Sequence, residues 1–386
     1  MEDIRTDENW LALRSFLPAD LDAMAVESGA LVRRRVVKDG VDLIRLALAY
    51  ADEGASLREV SAWARDSGLA DLSDVALLKR LRSSVPFLRL VVSSLLEPVP
   101  AEESPLQLRL LDSTVLSRQR SKSGGDFKVH VGYNVQSGCV SGIELTDMSR
   151  GDGLGVLPVR PGEVVVADMA YNGRKPLWEL LKAGAEVLVR THPRLCSLLD
   201  EAGTKVDLSA RACALMPGDV LDIAVWTKPF QGVPSLPGRL LAVRASERSA
   251  QAELHKRMKK ARKDGQKATD AQKEAAKYIF LFTTLDGSEA SAKSAFEAYR
   301  LRWQVEMLFK RLKGVVTLGE LKPKDKLLCE ALVLAKLVQV LLIQKMEGAF
   351  SPWGYQLRGA ESGEVAKGQA KAYPASGQRS PQPAPK

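Results

Sequence analysis

Tyr299, Arg302, Trp303, Glu306, Lys310 and Lys313 lie in a stretch, 291–314, whose apolar residues recur at three and four spacing and therefore predict one long helix. At about 100° per residue, the later five fall within about 60° of Tyr299, so all six share a face. Leu301, Val305, Leu308 and Leu312 fall on the far side, a stripe that should bury against the rest of the fold. One carboxylate among three cations, beside aromatic rings, can grip the phosphates of a polyanion. It can equally be a solvated face: Arg302–Glu306 and Glu306–Lys310 are i,i+4 pairs, each worth only about 0.2–0.5 kcal/mol on any surface helix. Helical geometry leaves both open.

The spacing of Tyr299, Arg302, Glu306 and Lys313, Y-x2-R-x3-E-x6-K, resembles the signature helix of the DDE transposases of the IS-four insertion-sequence family. The resemblance covers about residues 105–345. It implies an α/β fold with an RNase H-like mixed-sheet core and a mainly β insertion before the catalytic helix. In it Glu306 is the third metal-binding carboxylate, and Tyr299, Arg302 and Lys313 contact the DNA backbone at the transposon ends. It also implies two earlier aspartates at strand ends. Asp112 closes the apolar run 108–112, and Asp168 closes 164–168, with Tyr171 completing a D-x-x-Y element. Tyr278 stands where the family carries an aromatic, usually Trp, onto which a flipped base stacks; a plain core tyrosine fits that position equally.

Three convergent carboxylates repel one another unless divalent cations neutralise them, and hard Mg²⁺ prefers oxygen ligands. The implied cofactor is a pair of Mg²⁺ ions, with Mn²⁺ able to substitute, held by Asp112, Asp168 and Glu306. Two ions about 3.5–4 Å apart can activate a water or a 3′-hydroxyl and stabilise the leaving oxygen of a phosphodiester. The expected function is a bacterial cut-and-paste transposase that cleaves DNA at transposon ends and performs strand transfer, as a homodimer on double-stranded DNA. The alternative is a catalytically inactive remnant acting as a DNA-binding protein or repressor, suggested by the composition of the last residues. Asp126, Asp147 and Asp152 lie in or beside turns with no apolar strand before them, and turn aspartates usually bond their own backbone. His130, His192 and His255 have no catalytic spacing and read as structural or surface residues. No G-x-x-x-x-G-K-[ST] occurs, and 151–155 reads as a turn rather than a dinucleotide fingerprint.

The charge suits such a partner. Lys plus Arg number 56 against 47 Asp plus Glu, a net +9, and the sequence pI is about 9.3. With 45% hydrophobic and 27% charged residues the chain is globular, and 386 residues allow two or three domains. Cys139, Cys196, Cys213 and Cys329 form no C-x-x-C pair, which suits a reducing compartment and buried apolar roles. The acidic start is unlike a signal peptide, and the apolar run 331–343 is too short to cross a bilayer and reads as a buried helix. No membrane partner is expected, and the expected location is the bacterial cytoplasm, near the nucleoid.

The elements that must position these groups follow from periodicity. Residues 1–97 read as an all-α unit that binds DNA ends. Within it, Ser56 and Glu59 make a capping box, Gly68 breaks the helix, and Ser73 caps a second helix carrying Lys79, Arg80 and Arg82. That pattern resembles a helix-turn-helix, with two bundle helices as the other option. Three prolines mark 98–105 as a linker. Residues 106–350 form the catalytic domain, with a β-rich insertion at about 195–285 that contains a basic helical arm, 256–263. The Gly-, Pro-, Ser- and Gln-rich stretch 351–386 is expected to be disordered.

Overall fold

Local capping chemistry sets the first helices. The computed structural model describes residues 6–52, 55–96, 107–119, 125–149, 156–192 and 198–350, apart from positions 214, 217, 264, 266, 268, 316, 317, 319 and 320. The expected linker and the tail 351–386 lie outside them. Six helices come first: α1 Asp7–Arg14, α2 Leu21–Glu27, α3 Gly40–Ala51, α4 Leu57–Asp66, α5 Asp74–Ser83 and α6 Val85–Leu95. Ser56 accepts from the Glu59 amide while the Glu59 side chain reaches back to the Ser56 amide, so the capping box closes as its spacing predicts. Gly68 takes φ +68, a left-handed value that suits glycine, and Ser73 caps α5 through the Ala76 amide. At Gly40 a Cβ would lie 2.2 Å from the Leu21 carbonyl oxygen, so α3 approaches the end of the α2 segment as closely as backbone allows.

After these helices come β1 Gln107–Leu116, β2 Phe127–Asn134, β3 Cys139–Asp147, β4 Glu163–Ala167, α7 Arg174–Lys182, β5 Glu186–Thr191 and the short β6 Leu198–Leu199. Then follow α8 Leu208–Cys213, β7 Val220–Thr227, β8 Pro237–Arg244, α9 Glu247–Lys263, α10 Asp270–Ala275 and β9 Tyr278–Thr283. The chain continues with α11 Ala292–Arg300, α12 Trp303–Val315 and α13 Lys326–Phe350. The nine strands among the described residues join one mixed sheet in the order β3-β2-β1-β4-β5-β9-β8-β7-β6. Strands β1, β4 and β5 are parallel neighbours, while β2, β3 and β9 pair antiparallel. The strands of 195–285 extend this sheet, because β9 pairs with β5 and then β8.

The sheet is buried on both faces, and alternation along each strand assigns its residues. Leu110, Val164, Val166, Leu188 and Leu281 face a core shared with α3, α6, α12 and α13. Leu111, Val165, Ala167, Val187 and Val189 face the opposite core, against α7 and α8. Helix α13 packs on α3, α5 and α6, so the N-terminal helices and the sheet contribute to one hydrophobic cluster. Its 21-residue stretch Lys326–Met346 is long and apolar enough to span a membrane by length and composition, yet 78% of its most apolar window is buried inside the protein. The run read as 13 apolar residues is thus part of a longer helix that is buried all the same.

Three local expectations need correction. The stretch 291–314 is two helices, not one: Arg302 N bonds Tyr299 O, Gln304 N bonds Leu301 O and Val305 N bonds Arg302 O, an i,i+3 tightening that separates α11 from α12. The buried stripe rotates accordingly, with Val305 and Phe309 buried and Leu301 and Leu308 half-buried. The first strand does not end at Asp112; β1 runs on to Leu116 because its antiparallel partner β2 continues past the last β4 pair. The cysteines are not uniformly buried either: Cys329 is, Cys139 is half-buried and Cys213 is exposed.

Candidate active site

Register brings the two aspartates together. Leu111 pairs with Ala167 as the last step of the parallel ladder between β1 and β4, so Asp112 and Asp168 follow it side by side. Because Leu110 and Val166 face the α12 side of the sheet, the next-but-one residues Asp112 and Asp168 project to that side too. This is the carboxyl end of parallel strands, where open α/β sheets place their ligands. Asp168 also caps the 3₁₀ turn Met169–Tyr171 by accepting from the Ala170 amide at 2.8 Å, which fixes its carboxylate. The Asp112 Oδ1 accepts from its neighbour's amide, Ser113 N, at 2.8 Å.

Helix α12 packs on β1 and delivers the remaining groups. Arg302, in the break before it, places Nη1 3.5 Å from Asp112 Oδ2 and donates through Nη2 to Glu306 Oε1. Its guanidinium carbon lies 5.9 Å from the centre of the Tyr299 ring. Tyr299 is half-buried, and burial pushes its phenol above the usual range. Glu306, Lys310, Lys313 and Trp303 are exposed on the outer side. The single face drawn on a straight helix therefore divides at the break: Tyr299 and Arg302 turn toward the sheet, and the others toward solvent.

Burial pushes the Asp112 carboxyl up to about 6; the Ser113 amide and Arg302 oppose this, while Asp168 and Glu306 add repulsion. A folded value above the unfolded one, about 3.9, means that the native state holds this proton more tightly than the unfolded chain does. The ionised group thus destabilises the ion-free protein above about pH 6, and the penalty fades as pH falls toward 4. We expect Asp112→Asn to raise the stability of chelator-treated protein at pH 7.5 by on the order of 1–3 kcal/mol, and by almost nothing near pH 4. Thermal melts at the two pH values check this, and equal gains at both would contradict it.

Among the described residues, no three His, Cys, Asp or Glu side chains are grouped closely enough to hold a metal ion. The chemistry nevertheless suits one. Asp112, Asp168 and Glu306 offer hard oxygen donors, and a guanidinium already acts as the positive charge between Asp112 and Glu306.

The other predicted residues lie elsewhere. Tyr278 is 5% exposed in the core of the opposite sheet face, its ring centre 6.2 Å from that of Phe280, so it presents no open face to a base. On α5, Lys79 is exposed, whereas Arg80 Nη1 donates to the Ala30 carbonyl at 2.8 Å and ties α5 to the turn after α2. His130 is buried with Nε2 3.0 Å from Thr146 Oγ1, and Asp147, which ends strand β3 rather than lacking a strand before it, accepts from the Ser149 amide. Asp152 lies outside the described residues.

Sequence reasoning missed Arg190. Ala167 pairs with Val189, so Arg190 follows in the same row as Asp112 and Asp168, on the same sheet face, and its charge acts on Tyr299. Glu253 of α9 lies 3.9 Å from it. The available signal was the apolar run of β5 ending in a cation one residue past the ladder, aligned with the run that ends in Asp168.

The structure is a mixed α/β sheet with Asp112 and Asp168 following its parallel strands, faced by Arg302 in the helix break and Glu306 on α12. Residues 103–326 match the family described as the transposase DDE domain. The chain is 34% identical over 346 residues to InsL of insertion sequence element IS186A from Escherichia coli (strain K12), covering 87% of this chain and 93% of that protein. It is 33% identical over 347 residues to the transposase for insertion sequence element IS421 of Escherichia coli, again over 87% and 93%. The chain belongs to the DDE transposases of the IS-four insertion-sequence family. It is an enzyme of DNA transposition, with the divalent-metal dependence general to that family.

Proposed function

We propose that Asp112, Asp168 and Glu306 form the centre that cuts DNA at the element's ends and joins it to a target, within an RNase H-like core. The observation that carries this is the Leu111–Ala167 register, which sets Asp112 beside Asp168 on the face occupied by Arg302 and Glu306. The strand order β3-β2-β1-β4-β5, with β1, β4 and β5 parallel, supports the RNase H-like description.

These carboxylates would hold two Mg²⁺ ions, or Mn²⁺, which supply Lewis-acid activation of the attacking hydroxyl and stabilise the departing oxygen. The chain's own side chains do the positioning. Arg302 and Lys313 grip phosphates on either side of the scissile one, Tyr299 lies beneath Arg302, and Arg190 adds positive charge at the same rim. The exposed basic positions of α9, Lys256, Lys259 and Arg262, follow the DNA backbone. Helices α4 and α5 bind the end sequence, with Lys79 outward and Arg80 holding the unit together. A homodimer on two ends, in the bacterial cytoplasm, completes the proposal.

Purified protein should nick and join end-bearing duplex in Mg²⁺ and leave scrambled duplex intact. Cutting both equally would indicate a general nuclease. Binding ends without cutting would indicate a catalytically silent remnant.

A further inference from the structure

Arg302 lies between Asp112 and Glu306, two of the three carboxylates that would hold a divalent cation. Its Nη1 faces Asp112 Oδ2 at 3.5 Å, Nη2 donates to Glu306 Oε1, and the side chain is only 19% exposed. Its Nε is buried with no hydrogen-bond partner, so the guanidinium rests incompletely satisfied. Each Nη keeps a second N–H beyond the one it turns to a carboxylate, so the guanidinium can also pair with two oxygens of a phosphate. The residue sits in the two-residue break between α11 and α12, held by i,i+3 bonds, so it can swing without unravelling either helix.

We propose that Arg302 is a substrate-released latch: in DNA-free protein it bridges Asp112 and Glu306 and keeps the divalent-cation site unassembled, and a DNA backbone phosphate draws it away. The exchange conserves ion pairing. The guanidinium trades two carboxylates for a phosphodiester, and the freed carboxylates gain divalent cations. Lys310 and Lys313, exposed on α12, and Arg190 at the rim concentrate the polyanion that triggers it. Cation loading then follows DNA binding, which limits loading in the absence of an end. This inference rests on the assignment of Asp112, Asp168 and Glu306 as ligands.

Mn²⁺ binding to the full chain, followed by the spin-resonance signal of free Mn²⁺, tests it. A latch closed in nine molecules of ten lowers apparent affinity about tenfold, so DNA-free Arg302→Gln should bind Mn²⁺ about tenfold more tightly than DNA-free wild type. End duplex should give wild type a gain of similar size once Mn²⁺ bound by the duplex alone is subtracted. Equal or weaker binding by DNA-free Arg302→Gln overturns the latch, as does wild-type affinity that duplex leaves unchanged. The wild-type comparison stands even if the variant folds poorly. Asp112→Ala separates the two claims: if it binds Mn²⁺ as wild type does in the presence of duplex, the ligand assignment fails rather than the latch.

Discussion

Alanine at Asp168 lowers the rate of end cleavage by about 10³-fold or more and leaves end binding within a few-fold of wild type. The size follows from the chemistry: bound metal supplies several kcal/mol of transition-state stabilisation, and each 1.36 kcal/mol is about a factor of ten in rate. Asp112→Ala and Glu306→Ala should behave alike, because neither ion is held properly without its share of the carboxylates. Their combined loss should be far less than the product of the single losses, as for residues that act as a unit. Asp147→Ala is the control. It removes a turn aspartate that bonds Ser149, and the cleavage rate should not change. Cleavage in gels and binding by fluorescence anisotropy separate the two effects. A single alanine variant that cuts at the parent rate would remove its residue from the site.

Glu163→Ala destabilises the fold by about 3–5 kcal/mol, the range seen when one partner of a buried ion pair is removed. Glu163 is 1% exposed and Arg109 4%, with Arg109 Nη1 3.1 Å from Glu163 Oε2. Without the carboxylate, the buried guanidinium loses its counter-charge and keeps its hydrogen bond to the Pro158 carbonyl. The surroundings are shaped for it: a Cβ at Gly132 would lie 2.8 Å from Arg109 Nε, and one at Gly142 2.7 Å from Nη2. Glu163 opens β4, the strand whose last residue, Ala167, precedes Asp168, so the loss loosens the support of the site from its far end. At about 1–2 °C per kcal/mol for a chain of 386 residues, the melting midpoint should fall by roughly 5 °C. Replacing both partners by apolar residues, Arg109→Met with Glu163→Leu, should recover much of that. A midpoint for Glu163→Ala within a degree or two of wild type would contradict the argument.

What the sequence made legible was local. Ser56, Glu59, Gly68 and Ser73 predict α4 and α5 because a cap is decided within four residues. Asp168 was readable because an apolar strand, an aspartate and a turn follow one another in the chain. The extension of β1 past Asp112 was not, since it depends on hydrogen bonds to β2 across a turn. Neither was the break at Arg302, which has no glycine or proline to mark it and arises where α11 and α12 each settle against the sheet. Tyr278 illustrates the same limit from the other side: an aromatic at the right distance before the helix points to whichever face alternation assigns it, and here that is the face away from Asp112. Arg190 and the Arg109–Glu163 pair depend on register between strands distant in sequence, which no motif encodes.

The most direct measurement is a crystal structure of the protein on end duplex with Mn²⁺, read from the anomalous signal. Mn²⁺ peaks coordinated by Asp112, Asp168 and Glu306 are expected, with Arg302 turned onto a phosphate. Peaks bound by other side chains, with these three carboxylates apart, would contradict it.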